Sequence, residues 1–405
     1  MIYLLILIIE IFIFSLIDKK IYKSYYTPTF FLSIPFFIIV LLYLIFSDRL
    51  GYKTLNYDVL LIWIFGLFFF WISGLFTFII TQNKKNNFQY QSIDIARLKA
   101  FNKKSVNFTI MISFVILFYC YNGYKIYISS GGDATEKYLG SGLIAHLSII
   151  YKFLAILSFL VIRFKGDKIL FIKNLFIIVV SILLSFLYAT KSGILLLLLG
   201  FIFSRILYFN IKIKIWHVLL LLCFSYLVFL ISYSVSFGFQ APFEFINNHI
   251  LIYYVSGVAS MSAYFSDPSH SIGLDKELLF RPLFNYIYVF SGNPENVKVA
   301  FSDIWTDIGN DTRINVKTIF GTTYLYGGLL IGILSTFIYS FITYNFFFLA
   351  LKKNIIGIVF YSQIISMLIF GWFDIMFNTV MFYESLFLSL ILVFLTKHSK
   401  KSNGK

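Results

Sequence analysis

Charged residues are scarce in this chain. Asp, Glu, Lys and Arg together make up 13% of its 405 residues, whereas 60% of the residues are hydrophobic. A soluble domain of this length could not bury so much apolar surface. The composition therefore argues against a soluble enzyme and predicts an all-α, polytopic integral membrane protein.

Cysteines are few, and the common nucleotide and metal motifs are missing. Cys120 and Cys223 fall in or beside apolar segments, and they give neither a disulfide framework nor a metal-binding spacing. The sequence contains no P-loop, no glycine-rich dinucleotide motif, no His-rich or Cys-rich metal motif and no serine nucleophile elbow. We therefore expect membrane-embedded chemistry that needs no nucleotide-binding fold on this chain.

What the chain has in abundance is long apolar runs. A membrane-spanning helix needs about 20 mostly apolar residues, and about eleven stretches approach that length. The first is expected to be an uncleaved span, because it lacks a basic leader and a small-residue cleavage site and is followed by Asp18-Lys19-Lys20. The predicted spans are residues 1–17, 28–46, 58–80, 107–121, 143–163, 169–189, 193–210, 215–236, 321–349, 355–373 and 377–396.

The net charge of +15 is distributed as a membrane orientation signal. Its positive residues form short clusters beside apolar runs, a pattern that argues against nucleic-acid binding. With the N-terminus outside, the inner connections hold 22 of the 33 Lys and Arg residues and the outer ones hold 10. Because positive residues stay inside, the sequence predicts a periplasmic N-terminus and a cytoplasmic C-terminus.

These spans divide the chain into four predicted regions. Residues 1–236 form a bundle of about eight spans, and residues 321–396 add about three more. Residues 237–320, which we call the long connection, form a large periplasmic loop, and residues 397–405 a basic cytoplasmic tail.

The long connection mixes prolines and charges with apolar and aromatic runs. Such a sequence is expected to lie at the membrane interface in short helices and to cover an active site.

Three cations are candidates for binding an anion. Arg281 and Arg313 lie in the long connection, and arginine binds phosphate in a bidentate way. Lys191 lies in the tight turn Thr190-Lys191-Ser192-Gly193, just before a predicted helix whose N–H groups would add to an anion site. The alternative interpretation is that these cations meet lipid headgroups at the interface.

Several residues of the long connection are candidates for a general base. Histidine and carboxylate side chains can accept a proton from a sugar hydroxyl near neutral pH. Asp303 and Asp307 are spaced so that a helix would place them on one face. Each candidate could equally be a plain polar residue of the loop. The candidate bases are Glu244, His249, His270, Asp303 and Asp307.

The layout resembles that of the Wzy-type O-antigen and oligosaccharide repeat-unit polymerases. Those proteins are similar in having about a dozen spans with a large external loop in the C-terminal half. Local likenesses are the turn at Thr190-Lys191-Ser192-Gly193, an Arg-x10-Gly pattern from Arg281 to Gly292, and the glycine-rich run from Phe320 to Gly332.

The resemblance implies a concrete activity. Such enzymes transfer the growing glycan from undecaprenyl pyrophosphate onto the next lipid-linked repeat unit, at the periplasmic face of the bacterial inner membrane. Arg281, Arg313 and Lys191 would hold the pyrophosphate, and a residue of the long connection would deprotonate the acceptor. The apolar part of that connection would line a groove for polyprenyl tails. No cofactor, metal or nucleotide sugar would be needed, and a chain-length regulator and a flippase are the expected partners.

Two other functions remain open from the sequence. An O-antigen ligase uses the same donor but transfers the glycan to the lipid A core, and the layout does not separate it from a polymerase. A flippase or an ion-coupled carrier would place its charges in spans around a central cavity. Here Glu10, Lys152 and Glu384 are the charges that we expect to be intramembrane, whereas most charges on the predicted outer side belong to the long connection.

Overall fold

The computed structural model describes residues 2–82, 95–162, 167–188, 191–237, 242–267, 271–298 and 304–402. Helices account for most of these residues. They are α1 (Ile2–Tyr22), α2 (Pro28–Phe46), α3 (Asp58–Gln82), α4 (Ile95–Ser130), α5 (Gly132–Leu139), α6 (Gly142–Val161), α7 (Lys168–Leu187), α8 (Lys191–Phe209), α9 (Ile215–Phe237), α10 (Phe243–Ser266), α11 (Arg281–Phe290), α12 (Ile319–Leu351), α13 (Ile355–Ile369) and α14 (Val380–Ser402).

Nine helices within the described part of the chain are long and apolar enough to cross a membrane. They confirm that the chain is an α-helical, polytopic membrane protein, whereas the count of eleven spans stays a prediction. Helix α1 carries Glu10, Asp18 and Lys19 along its length, and the apolar part of α14 is the shorter segment Val380–Phe394. The nine are Pro28–Phe46, Asp58–Thr81, Leu98–Ser130, Gly142–Val161, Lys168–Leu187, Ser192–Phe209, Trp216–Ser234, Ile319–Leu351 and Ile355–Trp372.

The chain divides into two compact units. Unit one comprises Met1–Asn87, Leu251–Phe347 and Met367–Tyr383, and unit two comprises Phe88–Ile250, Phe348–Ser366 and Glu384–Lys405.

In unit one, small residues let helices approach closely. The Trp63 ring stacks on Phe36 with centroids 3.5 Å apart, and it meets the edge of Phe320 at 4.9 Å. Gly66 lies directly against the Phe320 ring, so any side chain there would collide with it.

Unit two is held together by buried hydroxyl groups as well as apolar packing. The Tyr151 hydroxyl lies 2.8 Å from the Ser113 hydroxyl and donates to the carbonyl of Ile177 at 3.0 Å. These buried bonds join α6 to α4 and α7, and an unmade hydrogen bond in such a place is costly.

The long connection contains a longer helix than the short interfacial helices that the sequence predicts. Helix α10 runs for 24 residues, and its residues 255–263 are buried. The reason is its small-residue content: Gly257 has no side chain, so the backbone carbonyls of Trp372 and Phe373 can pack directly on it. The shorter elements are α11 and the 3₁₀ helices Lys276–Phe280 and Pro294–Asn296.

The long connection also contains a β-hairpin, which an all-α prediction leaves out. Strand β1 (Thr306–Gly309) pairs antiparallel with β2 (Thr312–Ile314). The turn residues Asn310 and Asp311 have φ angles of 50° and 53°, the conformation that two-residue hairpins require. The expectation that a helix aligns Asp303 and Asp307 is therefore wrong for Asp307, which lies in a strand, while Asp303 lies outside the described residues.

Helix α12 is interrupted within its glycine-rich run. Gly328 adopts φ 64° and ψ −168°, a conformation outside the helical region. The carbonyl of Leu325 instead accepts hydrogen bonds from the backbone N–H groups of Gly273 and Leu274, at 2.7 and 3.2 Å. The long connection thus provides hydrogen bonds to the Leu325 carbonyl, which the break leaves without its helical partner. Backbone groups of a broken membrane helix need such partners.

Candidate functional site

The start of α11 presents a half-buried arginine. The preceding 3₁₀ helix, Lys276–Phe280, is fixed because its Leu279 carbonyl accepts from the Tyr339 hydroxyl and its Leu278 carbonyl accepts from Asn378 Nδ2 at 3.4 Å. Arg281 follows directly and is only partly exposed. Its Nε is buried and has no hydrogen-bond partner among the described residues.

An unpaired buried guanidinium N–H is energetically costly. Burial lowers the pKa of Arg281 from its ordinary value, although an arginine remains charged at physiological pH. The planar guanidinium group suits bidentate binding of phosphate or carboxylate. Arg281 is therefore the described residue best placed to bind an anionic ligand.

The acidic residues that precede Arg281 in the chain are paired elsewhere. Lys298 Nζ lies 3.1 Å from Asp275 Oδ2 and 3.5 Å from Glu277 Oε2. The Tyr288 hydroxyl also donates to Glu277 at 2.6 Å. Because Asp275 and Glu277 are engaged with Lys298, they do not neutralise Arg281.

A buried lysine lies at the base of the hairpin. Lys317 Nζ donates to Ser260 Oγ at 3.0 Å, to Thr306 Oγ1 at 3.1 Å and to the Ile304 carbonyl at 3.3 Å. These bonds use the three N–H donors of an ammonium group. Burial lowers the pKa of Lys317 to about 8, and the nearby charge of Asp374 opposes that shift. Lys317 therefore ties α10 to the hairpin.

Asp374 lies in the short connection between α13 and α14. Its Oδ1 accepts from Thr322 Oγ1 at 2.8 Å and from the backbone N–H of Ile375 at 2.7 Å. Burial raises the pKa of Asp374 to about 7, although both hydrogen bonds and the charge of Lys317 act in the opposite direction. Burial therefore outweighs these opposing effects and leaves the pKa of this carboxyl group in the neutral range.

An apolar cluster connects the surroundings of Arg281 and Lys317. Leu279, Leu325 and Tyr326 form its buried centre. Phe280, which precedes Arg281, and Ile304, whose carbonyl binds Lys317, both pack against it. A chain neighbour of Arg281 and a hydrogen-bond partner of Lys317 therefore pack against one apolar cluster of unit one.

A groove of about 210 Å³ opens between α3 and α12, beside the helix break. Its walls are almost entirely apolar, so it suits a hydrocarbon chain better than a sugar. The sequence predicts a groove lined by the long connection. The observed groove is instead lined by the spanning helices α3 and α12. Its lining residues are Leu61, Ile62, Phe65, Gly66, Phe69, Phe320, Thr323, Tyr324, Gly328, Leu329, Gly332, Ile333 and Thr336.

Two of the other predicted site residues come together on the hairpin. Asp307 and the exposed Arg313 are opposite each other across the two strands. Asp307 Oδ2 also lies 3.6 Å from Lys53 Nζ. The pKa of Asp307 is held below its ordinary value, first by the hydrogen bond from the Gly309 N–H and then by Lys53. Asp307 is therefore a weak base at neutral pH.

Gly292 and Arg281 mark the two ends of α11. Gly292 has φ +79° in the turn that follows the helix, and an added Cβ would meet no atom within 4 Å. Its backbone conformation, rather than close packing, explains the glycine. The Arg-x10-Gly spacing thus corresponds to one short helix and its terminating turn.

The remaining predicted residues belong to unit two or lie outside the described residues. Glu244 is exposed in the first turn of α10, and His249 Nδ1 lies 3.0 Å from the Phe245 carbonyl; both belong to unit two. Lys191 is the first residue of α8, but its side chain lies outside the described residues. His270 and Asp303 also lie outside them.

Unit two contains a separate group of ionisable residues. His146 Nδ1 contacts Glu384 Oε1, and Lys152 lies over the Tyr188 ring at 4.9 Å from its centroid. Glu384 and Lys152, which both lie within predicted spans, thus have a polar and an aromatic neighbour respectively. In the described portions of the sequence, no three His, Cys, Asp or Glu residues are grouped so that they could hold a metal ion.

Sequence reasoning missed the polar residues around Lys317 and Asp374. The sequence offered a weak signal, since Lys317 and Asp374 each flank a span on the predicted outer side. Their partners come from α10, the hairpin and α12, and only the fold shows that they meet.

The fold and this site define a polytopic helical membrane protein with a half-buried arginine, whose Nε has no partner among the described residues, and an aspartate whose pKa is raised by burial to about 7. The chain belongs to DUF6337, a family of unknown function whose model matches residues 51–402. No curated protein and no solved structure matches the chain.

Proposed function

We propose that this protein is an oligosaccharide repeat-unit polymerase of the O-antigen type. It transfers the growing glycan from undecaprenyl pyrophosphate onto the next lipid-linked repeat unit. In this proposal the chain crosses the bacterial inner membrane about eleven times, and the long connection lies in the periplasm. The distribution of Lys and Arg supports that orientation.

The observation that carries the proposal is that Arg281 is partly buried and that its Nε has no hydrogen-bond partner among the described residues. A half-buried guanidinium whose Nε has no partner in the described part of the chain, in a connection between membrane spans, suits a pyrophosphate at the membrane surface. In glycosyl transfer the pyrophosphate leaves with its negative charge. A fixed cation at that point stabilises the transition state. Arg313 and Lys191 stay predicted additional ligands.

The groove between α3 and α12 supports the same proposal. A polyprenyl-linked substrate carries an apolar tail and a charged headgroup. Unit one contains an apolar groove and an arginine whose Nε is unpaired among the residues that the structure describes. The Gly328 break sets the groove beside the long connection, because Gly273 of that connection binds Leu325 of the same broken helix.

The test is complementation of a strain that lacks the gene. We expect its lipopolysaccharide to collapse to core plus one repeat unit on a gel and the wild-type protein to restore the ladder. Arg281→Ala should fail, with polymer reduced by about a hundredfold, because a charge-assisted contact to the leaving group is lost. Arg281→Lys should recover only part of the ladder, since lysine cannot bind in a bidentate way.

Arg49→Ala is the matched control, because Arg49 is an exposed arginine on the same predicted side. It should restore the ladder fully at equal expression. Bare core in the deletion strain, together with accumulated lipid-linked polymer, would replace the polymerase by a ligase. An unchanged ladder would contradict both functions.

A further inference from the structure

We propose that Asp374 is the general base that accepts the proton of the acceptor sugar hydroxyl. The inference rests on the polymerase function proposed above and assigns to that reaction a residue outside the long connection.

The hydrogen bonds of Asp374 leave one carboxylate oxygen open. Thr322 Oγ1 and the Ile375 N–H both donate to Oδ1. Oδ2 receives no hydrogen bond from the described residues, and the residue as a whole is partly exposed. A carboxylate that is oriented through one oxygen and free at the other is geometrically suited to take a proton from a bound hydroxyl.

The proton affinity of Asp374 fits the same role. Its pKa of about 7 is set mainly by burial. Lys317 is the charged group that acts on it, from the end of the long connection. The aromatic ring of Tyr253 on α10 stacks on the neighbouring Phe373, and α12 contributes the hydroxyl of Thr322. A base is most effective when its pKa lies near the working pH.

The segment that follows Asp374 contacts the 3₁₀ helix that precedes Arg281. Asn378 Nδ2 donates to the carbonyl of Leu278, three residues before Arg281. From Asp374 to Asn378 the chain can extend at most about 14 Å. The Phe377 ring stacks on Tyr339, whose hydroxyl donates to Leu279. The segment that carries the proposed base is thus attached to the helix that positions the proposed pyrophosphate ligand.

Three other described carboxylates of this region are less suitable. Asp275 and Glu277 are paired with Lys298. Asp307 has a lowered pKa and lies beside Lys53. A carboxylate that is stabilised in its charged form holds a proton weakly.

The proposed step balances as a displacement. The O–H bond of the acceptor hydroxyl breaks, and its proton passes to Oδ2 of Asp374. The acceptor oxygen forms a bond to the anomeric carbon of the donor glycan as the bond from that carbon to the pyrophosphate oxygen breaks. Undecaprenyl pyrophosphate leaves with the electron pair, its charge held by Arg281, and Asp374 then releases its proton to water.

Asp374→Asn tests the inference with little change of shape, because the amide oxygen can still accept from Thr322 and Ile375. Polymerisation would be measured with purified protein in lipid vesicles and repeat-unit lipid extracted from the deletion strain. We expect the rate to fall at least about a hundredfold, the usual contribution of a general base. Donor binding should stay within about twofold of wild type. Asp48→Asn, at an exposed aspartate, is the control and should keep the full rate.

A pH profile provides the second readout. The wild-type rate should rise with pH through about 7 as Asp374 loses its proton. Thr322→Val removes a hydrogen bond that lowers the pKa of this carboxyl group, so the rise should move to higher pH by about half a unit or more. If Asp374 had only a structural role, Thr322→Val would not change the pH at which the rate rises.

The results separate this inference from the function on which it rests. If wild-type protein forms no polymer, the polymerase proposal fails. If wild-type protein forms polymer and Asp374→Asn retains more than a tenth of its rate, Asp374 is not the base. The same conclusion follows if the variant loses donor binding, or if the profile of Thr322→Val coincides with that of wild type.

Discussion

The two cations of unit one differ in how completely their donors are satisfied. Lys317 uses its three donors on Ser260, Thr306 and the Ile304 carbonyl, whereas Nε of Arg281 has no acceptor among the described residues. A satisfied buried ammonium stabilises one conformation of the fold. An unsatisfied guanidinium keeps its capacity for a ligand. This difference is the reason for assigning Lys317 to structure and Arg281 to binding.

Lys317 should make stability depend on pH in the alkaline range. Its pKa is about 8 in the folded protein and 10.5 in the unfolded chain. Between these values the unfolded state binds more protons, so stability rises with pH by at most about 3 kcal/mol. We expect thermal unfolding in detergent to show this rise in wild type and not in Lys317→Met. Lys276→Met, at an exposed lysine, should retain it. Equal profiles for wild type and Lys317→Met would contradict the assignment.

At the residue scale, the sequence pointed to Arg281 but not to Asp374. An arginine in a long loop between spans is visible as a pattern, and phosphate binding is a property of the residue type. The state of Asp374 depends on Thr322, which is 52 positions away in sequence, and on the charge of Lys317. No spacing rule connects these residues, so only the fold could identify the carboxyl group.

The interruption of α12 at Gly328 determines how the long connection is attached to this helix. Gly328 lies in a region of backbone conformation that is essentially restricted to glycine. The break lets Gly273 and Leu274 of the long connection bind the Leu325 carbonyl. A continuous helix would use that carbonyl internally, and this attachment of the connection would be lost.

Gly328→Ala should therefore destabilise the protein through its backbone. An added Cβ would meet only the Gly273 Cα, at 3.9 Å, so a clash contributes little. We expect a loss of about 1–3 kcal/mol from conformational strain, together with reduced polymer formation. Leu329→Ala, at an exposed neighbouring position, is the control for thermal unfolding. A Gly328→Ala protein as stable as this control would show that the break does not need glycine.

The long connection shows which elements could be predicted. Its prolines and charges marked a segment between spans, but the sequence underestimated α10. The buried part of that helix is rich in Ser, Gly and Ala, which lowers its hydropathy below that of a typical span. The hairpin was missed because its strands contain only four and three residues. Its determinant is the positive-φ turn at Asn310 and Asp311.

At the scale of the whole molecule, the sequence predicted a helical membrane protein, and the nine described apolar helices confirm it. Apolar runs of about 20 residues are a strong signal, since each one is set by the thickness of the bilayer. The ends of the chain are harder, because charges within α1 and the short apolar part of α14 make both segments ambiguous. Orientation is a matter of charge distribution and needs a direct test.

Cysteine labelling would test the predicted orientation. In a variant with Cys120 and Cys223 replaced by serine, Asn293→Cys in the long connection should react with a membrane-impermeant maleimide in intact cells. Lys401→Cys in the basic tail should react only after the inner membrane is opened, because positive residues remain inside. The reverse labelling pattern would put the proposed site on the cytoplasmic face and remove the basis for a periplasmic polymerase.

The most direct test of the central claim is polymer formation by the purified protein. Wild-type protein in lipid vesicles would be given repeat-unit lipid extracted from the deletion strain, with no nucleotide sugar, and its products separated on a gel. We expect a ladder of lipid-linked glycan that is present with wild type and Arg49→Ala and absent with Arg281→Ala. Polymer that forms only when nucleotide sugars are supplied, or no polymer from lipid-linked units, would contradict this expectation.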